Sequence, residues 1–218
     1  FDLSNTNLAF GFMVKRNISQ SFGVRFGMTT GKLSSTDLNY DNRLGRGYSF
    51  ENRLTELSLL AQWEPLASNR YKGGNFNKIL SPYIFAGGGL AFSNPETDFN
   101  GTSNSDILLD LNTKEKTLVT VPVGIGLKYD ITRKWNLGLE IGLRPALSDF
   151  LDGMSNAGDP SNDDWYTFGG LTLTTRFGAK DTDGDGITDN DDDCPTIPGI
   201  SATSGCPDAD LDGIADNK

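Results

Sequence analysis

The chain has 218 residues, enough for one large or two small domains. Its formal net charge is −10, and the 11 Asp and single Lys of residues 181–218 account for all of it, leaving 18 acidic and 18 basic side chains in residues 1–180. Acidity confined to a tail argues against nucleic acid as a partner and for a cation site, the lack of any His removes the usual general base and zinc ligand, and no run approaches the ~18 apolar residues of a transmembrane helix.

The opening Phe1-Asp2-Leu3 has no Met start and no leader-like sequence, so the chain reads as a mature or partial one. Residues 1–7 read as the end of a loop. From residue 8 the apolar side chains recur with period two, which marks β-strands, because successive side chains of a strand point to opposite faces. Strand 8–16 puts Leu8, Phe10, Phe12 and Val14 on one face. After a tight turn at Asn17-Ile18-Ser19, strand 20–33 sets Phe22, Val24, Phe26 and Met28 against Gly23, Arg25 and Gly27. Residues 34–52 form a long polar loop. Strand 53–66 alternates Leu57, Leu59, Ala61 and Trp63 with Glu56, Ser58, Gln62 and Glu64. A connection at 67–79 leads to strand 80–93, where Gly87-Gly88-Gly89 leaves the facing open and suggests a bend or bulge. Residues 94–116 are a second long loop.

The hairpin at 117–147 is the clearest stretch. Val119, Val121, Val123, Ile125, Leu127 and Tyr129 share a face, and after a turn at 130–134 so do Trp135, Leu137, Leu139, Ile141 and Leu143. The opposite face carries glycines, Thr and isolated charges of both signs. That face suits the inside of a narrow barrel, and the aliphatic face, edged by Tyr129 and Trp135, suits lipid with an aromatic girdle. The competing reading is a soluble β-sandwich with one buried face, which would show a richly charged exterior. A third long loop at 148–162 precedes a seventh strand at 163–178.

The three longest loops alternate with the connections at 17–19, 67–79 and 130–134, so they lie at one end, as in an outer-membrane barrel. The expected fold is therefore all-β: an eight-stranded antiparallel transmembrane β-barrel over residues 1–178. Seven strands are visible, and an even count requires one more, placed upstream. An eight-stranded interior is filled by side chains. Arg25, Glu56, Glu64, Lys128, Glu140, Arg144 and Arg176 fall on that interior face and are expected to pair, since an unpaired buried charge is very costly.

Residues 179–218 are the second unit. Asp181, Asp183, Asp185, Asp189 and Asp192 occupy positions 1, 3, 5, 9 and 12 of a calcium loop, with Gly186 at position 6 and the Ile187 carbonyl available at position 7. Asp208, Asp210, Asp212 and Asp216, with Gly213 and Ile214, repeat the register in a second loop whose position 12 lies beyond Lys218. The bland alternative is an acidic linker. The two cysteines, Cys194 and Cys206, both lie in this tail and are compatible with one disulfide in an oxidising compartment.

The run from Asp181 to Cys194-Pro195 resembles a thrombospondin type 3 calcium repeat. A barrel followed by such repeats resembles outer-membrane proteins of the OmpA family in their Bacteroidetes form. The resemblance implies a barrel anchored in outer-membrane lipid, calcium as the bound ion, a periplasmic spacer, and a peptidoglycan-binding domain that these residues do not include. The leading expectation is a structural anchor tethering the outer membrane to the cell wall. The alternatives are an accessory subunit docked on other outer-membrane proteins and, less favoured, a small pore. An enzyme is not expected: neither Cys is placed as a nucleophile, and no Gly-x-Ser-x-Gly or phosphate loop occurs.

Overall fold

The computed structural model describes residues 6–37, 47–74, 76–112, 116–154, 164–178, 181–189 and 191–216. Parts of the expected loops at 1–7, 34–52, 94–116 and 148–162, and the expected domain boundary at 178–179, lie outside them. The strands are β1 (Ala9–Asn17), β2 (Phe22–Thr36), β3 (Ser49–Trp63), β4 (Leu80–Asp98), β5 (Thr117–Thr120), β6 (Val123–Asp130), β7 (Trp135–Pro145) and β8 (Trp165–Thr175). One α-helix, α1 (Ser105–Asn112), sits in the second long loop. The 3-10 segments Ala67–Gly74 and Ser201–Thr203 complete the regular structure. Among the described residues no helix is long and apolar enough to cross a membrane.

All eight strands form one antiparallel sheet that curls into a half-barrel, in the order β1-β2-β3-β4-β6-β7-β8, with β5 also paired to β4. Each strand pairs with its neighbour in sequence, the usual arrangement for consecutive strands. β1 and β8 are its edges. Six antiparallel steps separate them, so they run in the same direction.

The alternation sets the two faces. Phe12 on β1, Ile125 on β6 and Leu139 on β7 point outward and are 71%, 59% and 56% exposed. Arg25, Glu56, Gln62, Asn136 and Arg144 point inward and are buried. The usual polarity of a soluble sheet is thus reversed. The small residues of the inner face make room for its large ones: a Cβ on Gly124 would strike Phe85, and one on Gly126 would strike Tyr83.

Two strands differ from the sequence expectation. The strand expected from 117 onward breaks at Val121-Pro122 into β5 and β6, because Pro has no N–H to give a ladder. The Pro122 carbonyl still accepts from Gly87 N (3.0 Å), so β4 runs unbroken beside both pieces. β4 itself reaches Asp98 and keeps one facing through the glycine triplet, with no bulge in its pairing to β3. Its last five residues hold no large apolar side chain, and Ser49–Asn52 of β3 hold Phe50 alone, so neither stretch carries an alternation to read.

The long-loop end is closed by apolar contacts. Leu54, Ala91, Leu118, Ala146, Leu151 and Tyr166 form one buried cluster, and Tyr48, Phe99, Ile107 and Met154 form another. Leu151 is held there by the Asn52 amide, which donates to its carbonyl (2.6 Å).

Candidate functional site

The concave face carries ion pairs in two tiers. Toward the long loops, Glu56 accepts from Tyr166 Oη (2.7 Å), Thr120 Oγ1 (3.2 Å) and Arg144 Nε (3.3 Å). At mid-height Glu140 accepts from Arg25 Nη1 (2.5 Å) and Tyr83 Oη (2.7 Å), while the Arg25 guanidinium lies 4.5 Å from the Phe85 ring centre. These pairs join strands far apart in sequence, so each fixes the curl of the sheet.

At the short-turn end the pairs fuse into a chain. Glu64 meets Lys128, Arg70 Nη2 (2.5 Å) and Lys15 Nζ (3.8 Å). Arg70 also reaches Asp130 through Nε (2.7 Å), and Asp130 meets Arg176. Arg70 comes from the 3-10 segment Ala67–Gly74, which folds back over the mouth. The chain ties β1, β3, β6 and the approach to the tail together. All seven charges expected on the inner face have partners of opposite sign. Arg70, Asp130 and Lys15 were not among them. Lys15 was within reach of the alternation, since it sits one residue past the outward Val14. Arg70 gave no sequence signal, because its place depends on how the connection folds.

In the tail, the structure gathers the expected ligands into two triads. One carboxylate oxygen from each of Asp181, Asp183 and Asp185 lies within 4.8 Å of the others, and the same holds for Asp208, Asp210 and Asp212. The loops are built alike. Gly186 N donates to Asp181 Oδ2 (3.2 Å), and Gly213 N to Asp208 Oδ2 (3.0 Å). Ile187 N donates to Asp185 Oδ1 and Ile214 N to Asp212 Oδ1, both at 2.8 Å. Thr182 N donates to Asp189 Oδ1, and Ala209 N to Asp216 Oδ1. Each bond recurs 27 residues on. Gly186 and Gly213 have φ of +97° and +87°, a conformation that suits glycine.

Asp189 and Asp216 therefore turn onto backbone donors of their own loops. Asp192, position 12 of the first loop, caps Cys194 N with Oδ1 (2.7 Å). Asp183 Oδ2, Asp192 Oδ2 and Asp208 Oδ1 are buried and accept no hydrogen bond. Burial, followed by the charges of Asp185, Asp183 and Asp181, pushes the Asp192 carboxyl above the usual carboxylate range. Clustered hard oxygens with unused lone pairs suit a hard divalent cation of the calcium type. Cys194 and Cys206 form a disulfide, with Cα atoms 5.0 Å apart. The segment it closes rests on the first loop through Gly199 N, which donates to Asp185 Oδ2 (3.0 Å).

Comparison with known proteins gives one match. Residues 2–182 fit the model of a family described as a domain of unknown function, DUF6089. The match covers the whole sheet and ends inside the first acidic loop. No curated protein matches, and no solved structure matches.

Proposed function

The chain belongs to the DUF6089 family, and on that premise we propose that it is a structural outer-membrane anchor, a lipid-embedded β-barrel carrying a calcium-stiffened periplasmic arm. The observation that carries this reading is the reversed polarity of the sheet. An outward face of Phe, Leu, Ile and Val is costly against water and stable against lipid tails. Strands of 11–19 residues in β2, β3, β4, β7 and β8 reach or exceed the ~9–11 needed to cross a bilayer. Phe22 stacks on Trp63 (6.2 Å between ring centres) near the short-turn end, which also carries Tyr129 and Trp135, where an interfacial girdle belongs.

In lipid the free backbone groups along β1 and β8 have no water to satisfy them. One further strand, antiparallel to both edges, would close the barrel at eight staves. Ion pairs and Arg70 gather at one end and apolar contacts at the other, which favours an anchor over a pore.

Asp181, Asp183, Asp185, Asp189 and Asp192, with the Ile187 carbonyl, would hold one calcium ion. Asp208, Asp210, Asp212 and Asp216, with the Ile214 carbonyl, would contribute to a second. The orphaned oxygens of Asp183, Asp192 and Asp208 support this assignment. Calcium supplies the positive charge that lets the carboxylates stay close, so the arm orders as it binds. The repeats resemble thrombospondin type 3 repeats and the whole resembles the OmpA family, with peptidoglycan bound by a domain outside these 218 residues.

The test is reconstitution into lipid vesicles. The anchor reading expects the protein to float with the vesicles, to show β circular dichroism, to expose its tail to protease from one side, and to pass no current in planar bilayers. A monomer soluble without detergent would overturn it. A second reading, an accessory subunit of a larger outer-membrane assembly, is favoured by α1, which leaves Leu108, Leu109 and Leu111 more than half exposed at the long-loop end. Co-purification of other outer-membrane proteins at fixed stoichiometry would establish it.

A further inference from the structure

The short-turn mouth of the half-barrel and the first acidic loop are in contact. Two of the loop's glycines lie directly on barrel side chains. A Cβ on Gly184 would coincide with the Arg133 guanidinium, and one on Gly186 would come 2.6 Å from Tyr71 Cγ. Arg133 belongs to the β6–β7 turn and Tyr71 to the 3-10 segment Ala67–Gly74. Tyr71 packs on Phe76 (5.9 Å), and Arg133 lies 6.0 Å from the centre of the same Phe76 ring. The mouth is lined jointly by Arg70, Tyr71 and Arg133 from the barrel and by Asp181, Asp185 and Gly186 from the tail.

The charges are complementary. Lys15, Arg70, Lys128, Arg133, Lys134 and Arg176 surround this mouth, against Glu64 and Asp130. The guanidinium of Arg133 lies against Gly184, whose sequence neighbours are Asp183 and Asp185. Both belong to the triad that would ligate calcium. A guanidinium beside the loop and a divalent ion then compete for one negative field.

We propose that the basic mouth of the barrel is a docking surface for the first acidic loop of the arm, and that calcium releases the arm by replacing Arg133 as the loop's counter-cation. The proposal rests on the calcium reading given above. Coupling is reciprocal: docking weakens calcium binding by the factor by which calcium weakens docking. One unit charge removed a few ångströms from a part-exposed site changes affinity by roughly fivefold.

The experiment uses the full chain in lipid nanodiscs, with spin labels at Lys78→Cys and Ala202→Cys, and calorimetric calcium titration of the unlabelled chain. The expected result in chelator is a short, narrow distance distribution. Calcium lengthens and broadens it, Arg133→Gln broadens it without calcium, and Arg133→Gln binds calcium about fivefold more tightly. Tyr71→Ser, which removes contact and no charge, broadens the distances too. A calcium heat with unchanged distances overturns the latch and leaves the calcium reading standing. No calcium heat in any variant overturns both. A broad distribution in the wild-type chain in chelator overturns docking itself.

Discussion

The lumen and the tail solve the same problem in different ways. Both bring carboxylates close together away from water. In the lumen, Glu56, Glu64, Asp130 and Glu140 each face Arg or Lys side chains from other strands, so the compensating charge is covalent and permanent. In the tail, Asp183, Asp192 and Asp208 keep oxygens that no protein donor reaches. The lumen carries its own cations, whereas under the calcium reading proposed above the tail takes one that it can lose. Permanent pairing suits a part that must hold its shape, and exchangeable pairing suits a part that responds to its surroundings.

The largest effect should come from unbalancing the lumen. Glu64→Ala leaves Lys15 and Lys128 without their carboxylate and Arg70 with Asp130 alone, and should cost about 3–5 kcal/mol. Urea unfolding in lipid vesicles measures it, and a cost below about 1 kcal/mol would show that water reaches the site. Next is the disulfide. Cys194→Ser with Cys206→Ser opens a short loop and should destabilise the tail by up to ~3 kcal/mol in the chain-entropy view. The expected readout is a lower melting temperature of the calcium-free tail, with the sheet's transition unmoved.

The third change sharpens the contrast directly. Asp183→Asn keeps size and removes one charge from the first triad. Calcium affinity should fall about tenfold, or ~1.4 kcal/mol, with no change in barrel stability. An unchanged affinity would mean that the ion is held elsewhere.

The smallest effect lies in the third long loop. Burial, then the charges of Asp164 and Asp149, pushes the Asp152 carboxyl up to about 7 from 3.8. The folded state therefore holds this proton more tightly than the unfolded one, and stability falls as pH rises from about 4 to about 7. Asp152→Asn should stabilise the protein at pH 8 by ~1 kcal/mol after discounting for partial exposure, and leave it unchanged near pH 4. Thermal melts at the two pH values check the sign.

Much of the sheet was legible because outward-facing apolar and inward-facing positions alternate. Phe22, Val24 and Phe26 against Gly23, Arg25 and Gly27 needed nothing but parity. Parity failed where apolar side chains do not recur, as at Ser49–Asn52, with Phe50 alone, and at Asn94–Asp98, which pair as strands all the same. It was also silent on α1, although Asn104 caps that helix by accepting from Ile107 N (2.9 Å), a local signal present in the sequence. In the tail, spacing alone pointed to both triads, because each is built from residues close in sequence. The resting place of the arm was not legible. It depends on Arg133 and Tyr71, which lie in two connections and meet Gly184 and Gly186 only once the chain is folded.

The 27-residue recurrence of the tail's hydrogen bonds has a consequence for length. If each loop and its following segment form one link, reach is counted in whole links. A deletion or insertion of 27 residues would preserve every joint and shorten or lengthen the span by one step. Any other number would break a joint. The gap such an arm can bridge is then set in discrete increments, like the pitch of a chain, and selection on that gap would act on the number of links.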